Sequence, residues 1–237
     1  MLWRMVGWAF KKCCVVVYLL IALHVLPLIA AAVPSDVQYS LKRLANDKNY
    51  VEIKNTSALV LCLKYATDDN FTKTNLYGDF SKCYLHRVAE EKLKKAVSLL
   101  TKKKPGWKFV IFDALRPRSV QRLFWDRVKG TSLQRYVANP DRGSVHNYGL
   151  ALDIGLMDEK GQMVDMGTSF DEFSLASEPR NEDECLKDGR LSSEQVRNRR
   201  ILRGVMTSAG FTQLPYEWWH FDALPIGEIK SKIPIVE

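Results

Sequence analysis

Ser144-Val145-His146-Asn147-Tyr148-Gly149-Leu150-Ala151-Leu152-Asp153 is the stretch on which the reading of this chain turns. Gly149, Ala151 and Asp153 alternate with Leu150, Leu152 and Ile154, the period of a strand with one apolar face and one face carrying small side chains and a carboxylate. The small residues are expected to leave space beside Asp153. His146 is an odd number of residues from Asp153 and on one continuous strand would face the wrong side, so it is expected on a loop just before the strand. The chain has four histidines. His24 lies in an apolar N-terminal run and His86 in a charge-rich stretch with helical spacing. His146 and His220 each stand near carboxylates among apolar or small residues, and Glu217-Trp218-Trp219-His220 reads as the second half of the same site. Two imidazoles and a carboxylate are the ligand set of a hydrolytic zinc centre, which keeps a fourth position for water. His146, Asp153 and His220 are the candidate ligands, and Glu217 is the candidate proton acceptor. Glu217 and His220 are three apart and would face oppositely on a regular strand, so a turn or bulge is expected between them. Trp218 and Trp219 read as packing.

Upstream, Tyr50-Val51-Glu52-Ile53 and Leu59-Val60-Leu61-Cys62-Leu63 read as strands after a short helix beginning near Ser35. Leu85 to Leu100 has helical apolar spacing and ends before Pro105-Gly106. Residues 107–113 read as a strand delivering Asp113 and Arg116 to its end, and Ser119 as the cap of a helix running toward Lys129. An arginine fixed between an apolar strand and Pro117 suits stabilisation of a developing oxyanion, with Asp113 either orienting it or merely ending the strand. Ser144 either bonds substrate or shapes the His146 loop. Downstream, Asp158 to Gly161 reads as a hairpin turn and residues 174–191 as a polar surface loop. Ser192 or Ser193 is expected to cap a helix from Glu194 to Ala209, stopped by Gly210, before a last strand near Trp218–Asp222.

At 237 residues and 46% hydrophobic content the chain suits one well-buried domain. Arg4, Lys11 and Lys12 precede an uncharged run from Cys13 to Val33 that ends in Ala30-Ala31-Ala32, the pattern of a signal peptide cleaved near Ala32. An uncleaved membrane anchor is the alternative, since about 20 apolar residues suffice to span a bilayer. Either reading puts residues 33–237 outside the cytoplasm, in periplasm, envelope or medium, with membrane contact only through that segment. Without residues 1–32 the net charge falls from +8 to +5. That reads as an ordinary solvated surface, and no aromatic-interleaved basic stripe points to nucleic acid. Cys62, Cys83 and Cys185 have no metal-ligand spacing; in an oxidising compartment they allow one disulfide and one free thiol.

Taken together, S-x-H-x-x-G-x-A-x-D, a later M-G-x-x-F-D, the run from Asn198 to Phe211 and E-W-W-H resemble the zinc D-alanyl-D-alanine dipeptidases known from vancomycin resistance. Residues 65–72 are similar to that family's early segment, and the resemblance runs from about residue 50 to 222. It implies an α+β fold with an antiparallel central sheet flanked by helices, shared with related carboxypeptidases and the hedgehog signalling domain. It implies zinc on His146, Asp153 and His220, Glu217 as general base, Arg116 at the transition state, and Asp171 holding the substrate's free amine. Leu115 departs from the family's usual tyrosine before Arg-Pro. The implied substrate is a short D,D-dipeptide such as D-Ala-D-Ala. A carboxypeptidase trimming peptidoglycan stem peptides is the alternative enzyme, and a non-catalytic zinc-binding recognition domain the alternative of another class.

Overall fold

Strand-forming sequence near the start of the folded region becomes β1 (Tyr50–Ile53) and β2 (Leu59–Leu61) in the computed structural model, which describes residue 40, residues 42–78 and residues 80–237. All of these lie in one compact unit. The expected leader over 1–32 lies outside the described residues, and of the short helix after Ser35 they include a 3-10 turn, Leu44–Asn46. There follow β3 (Cys83–His86), α1 (Arg87–Lys103), β4 (Lys108–Asp113), α2 (Arg118–Val128) and β5 (Ala151–Met157). The chain ends through α3 (Glu182–Lys187), α4 (Ser193–Ser208), β6 (Thr212–Gln213), β7 (His220–Asp222) and α5 (Ile226–Ile229).

The expected α+β class is what the chain adopts. The main sheet has the order β2-β4-β5-β7-β6, and β1 pairs with β3 in a separate ribbon. Every pairing is antiparallel except β2 with β4, so the central sheet is mixed at that edge. Apolar stripes on α1 (Ala89, Leu93, Ala96, Leu100) and α4 (Leu202, Val205, Met206) pack with Phe109, Ile111, Leu152, Ile154 and Phe221 of the sheet in one core. A second apolar cluster joins Val120, Phe124 and Val128 of α2 to Tyr50, Tyr65, Tyr77, Tyr84 and Leu115.

Several local expectations need correction. Leu85 belongs to β3, not to the helix: the helix starts at Arg87, capped by the His86 imidazole, whose Nδ1 accepts from the Val88 N–H at 3.3 Å. Helix α2 starts at Arg118 after Pro117, whose fixed φ suits the approach to a helix, and the Ser119 hydroxyl is buried with no partner rather than capping. Residues 174–191 are not a solvated loop. They fold into two 3-10 turns and α3, with Ser177, Glu178, Glu182 and Cys185 buried. Their polarity misleads because it is satisfied internally: Glu182 accepts from Arg203 of α4 at 2.5 and 2.6 Å. The capping of α4 is as read, with Ser192 and Gln195 forming a reciprocal box. Cys62, Cys83 and Cys185 are all free thiols, with Cys62 exposed.

Candidate metal centre and catalytic cleft

Register, rather than sequence proximity, builds the site. Asp113 at the end of β4 pairs with Asp153 of β5, and Asp153 pairs with His220 of β7, so the three form a row across the sheet. His146 comes from a 3-10 turn, Val145–Tyr148, immediately before β5, as the parity of its spacing from Asp153 requires. Ser144 caps that turn: its hydroxyl accepts from the His146 N–H at 3.4 Å, while the Asn147 side chain accepts from the Ser144 N–H at 2.7 Å. Gly149 ends the turn at φ +66, and a Cβ there would meet the His86 backbone nitrogen at 2.9 Å. Its smallness therefore serves the backbone and does not open room beside Asp153. Glu217 lies in the turn preceding β7, which supplies the break needed between it and His220.

The two imidazoles have their tautomers set from behind. His146 Nδ1 lies 2.6 Å from the Ala114 carbonyl oxygen, so it carries the proton and Nε2 carries the lone pair. His220 Nε2 lies 2.9 Å from Asp222 Oδ1, which likewise leaves the lone pair on Nδ1. Those two lone-pair nitrogens face each other at 3.2 Å, and Asp153 Oδ1 lies 3.3 Å from the first and 3.0 Å from the second. Three buried acceptors pointed at one another could hold a metal ion by the chemistry of the donor set: His146, Asp153 and His220 offer ligand atoms all within 4.8 Å.

Charge supports the same fit. Asp113, Asp153 and Glu217 are buried with Arg116 as the matching buried guanidinium. Burial works against the charge on Asp153, but His146 and His220 overcome it and hold its carboxyl well below the usual range. Burial opposes a proton on His220, and Asp222 with Asp153 outweighs it, so the imidazole is pushed well above its ordinary value. Burial pushes Glu217 up to about 8, with Asp153 and Asp171 adding to the shift and His220 and Arg116 opposing it.

Arg116 is locked. Its Nε donates to Asp113 Oδ2 at 2.8 Å and its Nη1 to Gln121 Oε1 at 2.9 Å, while Nη2 lies 2.7 Å from Asp113 and 3.4 Å from Asp153. Phe124 and Tyr65 lie under the guanidinium at 4.5 and 5.0 Å. Asp113 thus orients Arg116, and the Tyr77 hydroxyl, donating to Asp113 Oδ1 at 3.0 Å, holds Asp113 in turn. Asp171 adopts φ +62, rare for a residue with a side chain, and its carboxylate accepts from the Tyr65 hydroxyl at 2.9 Å and the Phe71 N–H at 3.3 Å. Burial pushes it up to about 7 despite those bonds. His146, Asp153, His220, Glu217, Arg116, Asp171 and Ser144 all line one cleft of about 330 Å³, between the two apolar clusters. Leu115 is not on its wall; it is buried in the second cluster.

Gln121 and Asp222 are supporting groups that sequence reasoning missed. Each had a trace: Gln121 is a polar residue on the apolar face of α2, and Asp222 shares a strand face with His220. A third support is Arg199, fully buried, donating to the Met166 carbonyl at 2.6 Å and the Ala176 carbonyl at 2.7 Å. It fixes the ends of the segment that carries Asp171, and Thr168 within it accepts from the Trp218 indole beside Glu217 at 2.9 Å.

The chain is also similar to known proteins. The family model described as D-ala-D-ala dipeptidase matches residues 56–231. A D-alanyl-D-alanine dipeptidase of Escherichia coli is 35% identical over 160 residues, 68% of this chain and 76% of the relative. One from Synechocystis is 33% identical over 164 residues, covering 55% and 65%, and one from Enterococcus faecium 30% over 175 residues, covering 67% and 82%. The match spans both halves of the metal cradle and the residues around it: this chain belongs to the Peptidase_M15 family, the D-ala-D-ala dipeptidases.

Proposed function

We propose that this protein is a zinc-dependent dipeptidase that hydrolyses D-Ala-D-Ala or a similarly short D-amino-acid dipeptide. The observation that carries the reading is the convergence of the His146, Asp153 and His220 lone pairs, their tautomers fixed from behind, beside Glu217 and Arg116. The names of the relatives supply the substrate class. Two imidazoles and one carboxylate would hold zinc and leave a position for water. When bound, the ion supplies the Lewis acidity that makes water nucleophilic at neutral pH and polarises the peptide carbonyl.

The chain's own groups do the rest. Glu217, raised by burial, accepts the proton released as water attacks and returns it to the leaving amine. His220 and Arg116, the positive partners beside it, oppose that rise. Arg116, held by Asp113 and Gln121, faces the carbonyl oxygen as it gains negative charge. Arg116→Lys keeps the charge and loses the fork. It should lower kcat about a hundredfold or more and change KM far less, because the contact strengthens in the transition state. A rise in KM alone would make Arg116 a substrate anchor instead.

Asp171 pairs with the substrate's ammonium, and Ser144 offers its hydroxyl near the cleft floor while capping the His146 turn. Zinc-loaded protein should therefore cleave free D-Ala-D-Ala and leave N-acetyl-D-Ala-D-Ala and a stem pentapeptide intact. Asp171→Asn should weaken dipeptide binding by about 2 kcal/mol or more, the scale for a buried pair that loses one charge. Efficient cleavage of the acetylated or longer substrates would make the protein a carboxypeptidase. A recognition domain that merely binds zinc needs neither Glu217 nor Arg116.

A further inference from the structure

Among the described residues, the arginines lining the cleft are Arg116 and Arg135. Arg116 is held on Asp113, Gln121 and Asp153 and, in the dipeptidase reading, serves the reacting carbonyl oxygen. Arg135 does not. It stands on a 3-10 turn, Ser132–Tyr136, with its side chain 57% exposed. Its guanidinium lies 4.7 Å from the Tyr136 ring centre, and Nη2 donates to the Tyr136 hydroxyl at 2.6 Å. Behind it is the fully buried Glu178. Glu178 Oε1 accepts from the Tyr136 hydroxyl at 2.7 Å, while Oε2 accepts from Arg180 Nε and Asn181 Nδ2, both at 2.8 Å. Arg180 Nη2 is also 2.8 Å from Oε2, and Arg135 is 3.5 Å from Oε1. One carboxylate thus serves two guanidiniums, and of the two Arg180 is the closer. The group carries a net positive charge, and Arg135 Nε and Nη1 have no protein acceptor among the described residues.

We propose that Arg135 binds the C-terminal carboxylate of the substrate and so determines specificity for a free C-terminus. The proposal rests on the dipeptidase reading. A free dipeptide is a zwitterion: Asp171 answers its ammonium, and its carboxylate requires a cation besides Arg116, which is assigned to the reacting carbonyl. A guanidinium fork matches a carboxylate in shape as well as charge. Tyr136 and Glu178 restrict the side chain, which lowers the entropy lost on binding. The exposed position at the lip also places the charge where an anionic group first arrives.

The test compares D-Ala-D-Ala with D-alanyl-D-alaninamide, in which the carboxylate is neutral, using the zinc-loaded full chain and its Arg135→Ala and Arg135→Lys variants. Unaltered protein should favour the free acid by about tenfold to a hundredfold in kcat/KM, the scale of a charge-assisted hydrogen bond. Arg135→Ala should lose that preference through a higher KM for the free acid, with kcat and the amide's KM little changed, and Arg135→Lys should restore part of it. A merely structural role would move both substrates together. Retention of the preference in Arg135→Ala, or its absence in the unaltered protein, would overturn the assignment. Cleavage of neither substrate by the unaltered protein would instead overturn the dipeptidase reading, and this assignment with it.

Discussion

Glu217→Gln should retain its metal and lose about two to four orders of magnitude in turnover, the range of a general acid–base group. Glutamine keeps the volume and fits the same buried turn, whose neighbours are fixed by the Trp218 N–H donating to the Ser177 carbonyl at 3.0 Å and by the Trp218 indole on Thr168. Nothing in the metal cradle requires the acid: Glu217 Oε2 is 3.9 Å from His220 Nδ1, beyond a hydrogen bond. The fold should not suffer. Burial raises Glu217 from 4.5 to about 8, so in metal-free protein the native state binds more protons than the unfolded chain between those values. Its contribution to stability therefore falls as pH rises across that window, and the neutral amide removes the loss. Steady-state kinetics with zinc analysis on the same samples checks the prediction. Turnover within about threefold of the unaltered protein would assign the proton to another group, since an acid–base catalyst is worth far more than that.

Removing a ligand imidazole should have the other large effect. His220→Ala or His146→Ala leaves two of three donors, and zinc affinity should fall by more than about a hundredfold, beyond the range for losing an outer-shell partner. Asp222→Asn provides the internal scale. It weakens the hydrogen bond at 2.9 Å that fixes the His220 tautomer without touching the ligand atoms, and should cost about ten- to a hundredfold in affinity. Competition with a chelator of known affinity measures all three. Undiminished zinc binding in a folded histidine variant would remove that residue from the cradle.

The cradle was legible in the sequence because scarce chemistry is easy to see: two histidines near acids, in segments with little else polar, announce themselves. The odd spacing of His146 from Asp153 requires a turn before β5, and His146 lies on one. Helix α4 was legible from its capping serine and its terminating Gly210. What could not be read was register. The pairing of Asp153 with His220, 67 residues apart, is set by how β5 and β7 dock and by no local pattern. Nor do local patterns tell a buried polar segment from a solvated one, as Glu178 and Glu182 demonstrate. Gly149 shows the converse: a small residue in a functional motif whose reason is its left-handed backbone and the nearby His86 nitrogen. The departure at Leu115 concerns the packing of the second cluster, away from the cleft wall.

Anomalous diffraction at the zinc edge from zinc-loaded crystals should place one metal ion where the three lone pairs meet. The expected result is a single strong peak bonded by His146 Nε2, the Asp153 carboxylate and His220 Nδ1, each at about 2.0–2.2 Å. A peak elsewhere, or ligation through His146 Nδ1 or His220 Nε2, would contradict it.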